Sequence, residues 1–214
     1  MTTPSFLKRC AFLLTLAASP HAARAEEETL FNGKDLTGWV GNMEIWRVKD
    51  GVISGGSMAG NPRNEFLTLK KTYHNFVLKL EYKLIGSEGF VNSGVQFHSQ
   101  RLEKPTNEMI GYQADIGAGW SGTLQDESRR KGPRSKPPVE LVKRLEKPSD
   151  WNRYEIRTEG RHIEIFLNGE KTVDYTEADE AIPQDGLIGL QIHGGNKAEV
   201  FFRNIVIAEM PSGK

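Results

Sequence analysis

FVLKLEYKL, residues 76–84, alternates almost perfectly: Phe76, Leu78, Leu80, Tyr82 and Leu84 face one way, while Lys79, Glu81 and Lys83 face the other. A period of two marks an extended chain with one buried and one wet face, so an antiparallel strand is expected here. The pattern recurs downstream. In GVQFHSQ, residues 94–100, Val95 and Phe97 point inward and Gln96 and His98 outward. In GYQADIG, residues 111–117, Tyr112, Ala114 and Ile116 oppose Gln113 and Asp115. In LIGLQIHG, residues 187–194, Ile188, Leu190 and Ile192 oppose Gln191 and His193.

Residues 151–158 and 161–167 also read as strands, and Asn168-Gly169 suits a type I′ turn into a strand at 171–175. Val200–Ala208 closes the series. Upstream, Asp50-Gly51 is a second hairpin turn, EFLTL at 65–69 is a short strand, and LFNGKDLTGW at 30–39 is a loop anchored by Phe31, Leu36 and Trp39. Only Val139–Leu145, inside a proline-containing basic excursion over 131–148, has helical spacing. A loop that long is usually functional or disordered, and a lid is one expectation for it. Roughly a dozen short strands separated by Gly and Asn turns imply an all-β sandwich of two packed antiparallel sheets, with a curved face able to collect a ligand.

The chain has 214 residues, with 28 Lys and Arg against 28 Asp and Glu. Its start reads as a secretory signal over residues 1–25: Lys8 and Arg9, a short apolar run from Cys10 to Ala18, then Ala23-Arg24-Ala25 as a cleavage site. Cleavage would remove Lys8, Arg9 and Arg24, leaving 25 basic against 28 acidic residues and taking away Cys10, the sole cysteine. The exported form, residues 26–214, is then expected to be one mildly acidic domain that lacks any thiol nucleophile. Nucleic acid is an unfavourable partner for it. No later stretch approaches the roughly 20 apolar residues of a membrane-spanning helix, so no membrane partner is expected after cleavage. A periplasmic or secreted location follows from the same reading.

Chemistry is expected where polar residues repeat on the outward faces. Gln96 with His98, Gln113 with Asp115, and Gln191 with His193 would carpet one sheet with donors, acceptors and titratable groups if their strands are neighbours. A plain solvent face usually carries Lys, Glu and Thr instead, although a lone histidine on a strand is more often structural than catalytic. Gly117, Gly119 and Gly122 let the chain turn around Trp120, and DESRR follows, with Asp126, Glu127, Arg129 and Arg130 within five positions. The commoner account of such a run is a solvated cap on a turn. Glu65, Asp126, Glu127 and Arg129 are candidates to complete the site. A divalent metal stays open, since two histidines and several carboxylates are present without HExxH, a Cys pair or a calcium loop. The serine nucleophile elbow GxSxG and the phosphate-binding P-loop are both absent.

LFNGKDLTGW, NSGVQF, GYQADIG with the following DESRR, WNRYEIR, IEIFLNGEKTVDY, GLIGLQIHGG and FRNIVI, in this order between Leu30 and Ile207, resemble the DUF1080 family of 3-keto-disaccharide hydrolases. Members are also described as 3-keto-glucoside 1,2-lyases and 3-keto-2-hydroxy-glucal hydratases. The resemblance implies a concanavalin A-like lectin/glucanase β-sandwich, or jelly roll. It also implies a carbohydrate partner, a 3-keto-glycoside. A ketone at C3 acidifies the C2 proton, so a base can remove it, the C1 oxygen leaves, and water adds back to the enone. On that chemistry His193 is the expected base. Asp115 or Glu127 would orient it or protonate the leaving oxygen, and Arg129, Gln113 or a metal would stabilise the enolate. Glu65, Gln96, His98, Trp120, Asp126 and Gln191 would hold the sugar. The rival expectation is a non-catalytic carbohydrate-binding module of the same fold.

Overall fold

The structure, a computed structural model, describes residues 26–117 and 119–211. The stretch read as a signal, with Cys10, lies outside the described residues, as does Ala118. Among the described residues, fourteen strands and one short helix follow in order. The first five strands are β1 (Glu27–Thr29), β2 (Trp39–Val40), β3 (Trp46–Lys49), β4 (Val52–Asn61) and β5 (Glu65–Tyr73). Next come β6 (Phe76–Gly89), β7 (Asn92–Arg101), β8 (Met109–Gly117), β9 (Leu124–Glu127) and the helix α1 (Val139–Leu145). The rest are β10 (Asn152–Glu159), β11 (His162–Leu167), β12 (Glu170–Thr176), β13 (Gly186–Ile192) and β14 (Asn196–Glu209).

They form two antiparallel sheets. The eight-stranded sheet runs β12-β11-β10-β6-β14-β4-β3, with β1 also on β14, and the six-stranded sheet runs β2-β5-β13-β7-β8-β9. Each hydrophobic set named by alternation lies between them. Phe76, Leu78, Leu80 and Tyr82 of β6 and Ile156 and Ile165 of the hairpin meet Val95, Phe97, Tyr112, Ala114, Ile116, Leu190 and Ile192, all at most 3% exposed. Burying each large apolar side chain is worth roughly 1.5–3 kcal/mol, so this layer drives the pairing of the sheets. Both Asn168-Gly169 and Asp50-Gly51 adopt positive φ at both turn residues, 51° and 89° and 50° and 75°, as a type I′ hairpin demands.

The 131–148 excursion is strapped down. Ser135 bridges to Leu124 as a short continuation of the sheet edge. Val142 of α1 is buried, Asn168 Nδ2 donates to the Leu145 carbonyl at 2.7 Å, and the Ser121 hydroxyl donates to Glu146. With its backbone and side chains bonded to the sandwich, the segment is a fixed edge strap and not the lid its length suggests.

Candidate functional site

Strands β13, β7, β8 and β9 are consecutive neighbours in the six-stranded sheet, which brings the glutamine rows together. Gly189, Gln96, Gln113 and Gln125 are in register across β13, β7, β8 and β9, and Phe66, Gln191, Gly94 and Asp115 form the adjacent row across β5, β13, β7 and β8. Residues directly opposite in an antiparallel pair share a face, so these polar side chains lie together on the side away from the core. Gly94 makes room in this layer. A Cβ there would lie 2.3 Å from the Gln113 Cδ, so the Gln113 side chain occupies the space above the glycine. In that position Gln96 Nε2 donates to Gln113 Oε1 at 2.9 Å, and Ser99 Oγ donates to Gln96 Oε1 at 2.7 Å. Gln191 differs, because both its amide atoms are buried with no partner.

His193 follows β13 at the end of this face. Its backbone N–H donates to the Asn92 carbonyl at 3.2 Å, and its ring stands nearly perpendicular to that of Phe90 with centroids 5.0 Å apart. Nδ1 lies 2.6 Å from the Gly194 carbonyl. A carbonyl only accepts, so Nδ1 carries the hydrogen, and the neutral ring then presents Nε2 as a bare acceptor. Gly194 is held in turn by its N–H donating to Asn64 Oδ1 at 2.9 Å.

Glu108 lies within electrostatic reach of this imidazole, and Glu127 and Asp115 follow it as a chain of neighbouring carboxyls. Burial pushes the Glu108 carboxyl up against the opposing pulls of the Asn64 amide, bonded at 3.0 Å, and of the nearby His193 imidazole. Burial likewise pushes Glu127 up, with the charges of Glu108 and Asp126 adding to it. Asp115, 4% exposed, is pushed by burial from 3.8 to about 7, opposed by the Asn92 amide, which donates to it at 2.6 Å, and reinforced by the charge on Glu127. Burial and mutual repulsion make each of these acids retain its proton to higher pH than an exposed carboxylate. Asp115 does not bond the His193 ring; it holds Asn92, whose carbonyl holds the His193 backbone.

Asp115 supplies a pH signature. Below pH 3.8 it is protonated in both folded and unfolded chains and contributes nothing. As pH rises toward about 7 the unfolded chain ionises first, so stability falls, and above that the loss is complete. The gap of about three pH units corresponds to roughly 4 kcal/mol. Asp115→Asn is therefore expected to be more stable than the wild type at pH 8 and nearly equal at pH 4. Chemical denaturation at both values checks this, and a difference independent of pH would remove the buried-proton account.

Not every expected residue arrives here. His98 sits at a bulge between Phe97 and Gln100, with φ 45°, and that extra residue turns it off the Gln96 face. Its ring packs against Phe76, Phe97 and Tyr112 of the core side, Nε2 donates to the His74 carbonyl at 2.8 Å, and burial depresses it to about 4. Asp126 is opposite Tyr112, hence on the core face of β9. Arg129 Nε bonds it at 2.7 Å, and Arg129 packs over the Tyr112 ring at 5.0 Å. Arg130 bonds both Asp126 and Glu177, the latter at 2.6 Å. Asp126 and Arg129 thus belong to a structural knot at the sandwich edge. Glu65 pairs with Arg63 at 2.9 Å, in register with Ile192 beside His193. Trp120 stands in the β8–β9 loop with Lys136 Nζ 3.6 Å from its ring centroid.

Glu108 and Asn64 escape a strand-based reading because both lie in loops between strands, where period-two alternation carries no signal. Among the described residues one grouping, His162, Glu164 and Asp174, brings three metal-type ligand atoms within 4.8 Å. Lys171 Nζ already bonds Glu164 at 3.0 Å and also Asp174, so an ammonium fills the place of a cation. A hollow of about 660 Å³ on the same sheet is lined by Lys79, Arg157 and His162. These are paired with Glu27, Glu155 and Asp174 respectively, which leaves it little free chemistry.

The model of a family described as the 3-keto-alpha-glucoside-1,2-lyase-like domain matches residues 26–208. Among solved structures, a proposed glycosyl hydrolase from Parabacteroides distasonis ATCC 8503 is similar with 24% identity and a TM-score of 0.62, over 86% of this chain and 94% of that one. The carbohydrate-binding module CBM66 from Bacillus subtilis is similar with 15% identity and a TM-score of 0.62, over 80% and 96%. The carbohydrate recognition domain of Emp47p gives 14% identity and a TM-score of 0.54, over 90% and 100%. No curated protein matches the chain. At these identities the likenesses speak for the fold, a concanavalin A-like lectin/glucanase sandwich.

Proposed function

Because the chain belongs to the 3-keto-alpha-glucoside-1,2-lyase-like family, and so to a carbohydrate-active lineage, we propose that it is an exported enzyme that cleaves 3-keto-glycosides. The observation that carries this reading is His193, its Nδ1 tied to the Gly194 carbonyl and its Nε2 left as an acceptor, beside Glu108, a carboxyl that burial pushes up and that lies in turn within electrostatic reach of Glu127. His193 removes the proton from C2, and the electron pair moves to the C3 oxygen as an enolate. When the C3 carbonyl reforms, the double bond shifts to C1–C2 and the C1–oxygen bond breaks. Glu127 or Glu108 gives its proton to the departing oxygen, the role for which a raised pKa suits a carboxyl. Water then adds at C1 and a proton returns to C2, so the net change is hydrolysis.

Gln113 and Gln191 supply the polar floor under that sugar. A buried amide with neither atom bonded is costly to the fold, and Gln191, 0% exposed, is such an amide. Gln191→Leu is expected to match or exceed wild-type stability, by up to about 1–2 kcal/mol, while turnover drops at least tenfold. Thermal melts and initial rates on one preparation test both halves.

A non-catalytic carbohydrate-binding module is the second reading, favoured by the CBM66 likeness, whose TM-score equals that of the proposed hydrolase. Incubation with 3-keto-trehalose or 3-keto-lactose, following free sugar with and without a chelator, separates the two. Release of sugar supports the enzyme; binding without release supports the module; loss of release with chelator brings a metal into the reaction.

A further inference from the structure

We propose that Asn64 is a positioning residue: one end of its amide fixes the His193–Gly194 peptide and the other the Glu108 carboxyl. It thereby sets which imidazole nitrogen stays bare and which carboxyl oxygen carries the proton. Its bearing on catalysis rests on the reaction proposed above. Three loops meet on this side chain. Asn64 lies between β4 and β5, Glu108 between β7 and β8, and Gly194 between β13 and β14. Asn64 Oδ1 accepts from the Gly194 N–H at 2.9 Å, and Nδ2 donates to Glu108 Oε1 at 3.0 Å. The Asn64 carbonyl also accepts from Asn107 Nδ2 at 3.1 Å, which ties the Glu108 loop down a second time.

The partners leave this amide one orientation. Turned over, it would set its NH2 group against the Gly194 N–H, donor against donor. At the histidine end, a Cβ on Gly194 would lie 2.5 Å from the Arg63 Cα and carbonyl carbon, so the two loops touch backbone to backbone. With its N–H held by Asn64, Gly194 keeps its carbonyl 2.6 Å from His193 Nδ1, and that carbonyl retains the hydrogen there. At the acid end, the carbonyl oxygen of a protonated carboxyl is its better acceptor. The amide on Oε1 therefore leaves the proton on Oε2, which is buried and bonded to no other group. The proton is held on the oxygen free to give it away. Burial pushes this carboxyl up, and the Asn64 amide pulls it back down.

Two substitutions separate the two ends. Asn64→Asp keeps an oxygen for the Gly194 N–H but cannot donate to Glu108, whereas Asn64→Ala removes both bonds. Nuclear magnetic resonance on the free protein reads each end, through the ring-nitrogen shifts of His193 and the carboxyl-carbon titration of Glu108. The wild type is expected to carry the imidazole hydrogen on Nδ1. Asn64→Asp is expected to keep that tautomer while Glu108 titrates at higher pH, having lost a donor and gained a neighbouring charge. Asn64→Ala is expected to lose the tautomer as well, with kcat on a 3-keto-glycoside down about ten- to a hundredfold and KM within about twofold. A folded Asn64→Ala with the wild-type tautomer and Glu108 titration overturns the positioning role, whatever its melting temperature. Should that variant not fold, an unmoved Glu108 titration in Asn64→Asp overturns it alone. Signatures that shift while kcat holds overturn it too. Signatures that shift as expected, in a wild type that releases no sugar, uphold the amide's hold on both groups and overturn the reaction instead.

Discussion

Asp126→Ala is expected to destabilise the folded protein by about 3–5 kcal/mol. The carboxylate is 1% exposed and bonds Arg129 through both oxygens, at 2.7 and 3.0 Å, and Arg130 besides. Around it the network closes: Arg130 bonds Glu177, which also accepts from Tyr112 at 2.6 Å and Tyr175 at 3.0 Å. Burial opposes ionisation of Glu177, yet Arg130 and the two phenols hold its carboxyl well below the usual carboxylate range. Deleting Asp126 leaves Arg129 without its carboxylate and Arg130 with Glu177 alone, and a lone buried charge costs far more than a pair returns. Urea denaturation measures the loss. If Asp126 instead touched substrate, Asp126→Asn would abolish turnover at little cost in stability, and that result would return Asp126 to the site.

His193→Ala is expected to lower turnover of a 3-keto-glycoside by about two to four orders of magnitude, the usual worth of a positioned general base. Stability should move little, since the ring is half-buried and its one hydrogen bond goes to the neighbouring Gly194 carbonyl. Glu127→Gln, which removes one of the two candidate proton donors, is expected to lower turnover as well. Full turnover by His193→Ala would show that some other group takes the C2 proton.

Most of the scaffold is legible because strand alternation is a local property. Whether Phe76 or Lys79 faces the core depends on parity along one segment, and the two Xaa-Gly hairpin turns depend on the positive φ of their own residues. The same parity places Gln113, Asp115, Gln191 and His193 on one face. By that rule His98 reads outward, yet it lies inward, because one bulge residue reverses every later side chain in a strand. DESRR reads as part of the site, whereas Asp126 is turned to the core by its pairing with Tyr112, and its partner Arg130 reaches Glu177, 47 positions further along the chain.

Buried and wet faces, and the turns between them, are written into the chain itself, for each follows from the stereochemistry of adjacent residues. That β13, β7, β8 and β9 are neighbours, and so which polar rows meet, is a matter of long-range pairing that no single segment carries. The same pairing sets Glu108, from a loop with no periodicity, within electrostatic reach of His193 and Glu127. Burial and mutual charge are properties of that assembled neighbourhood, and they are what push these carboxyls above the ordinary range.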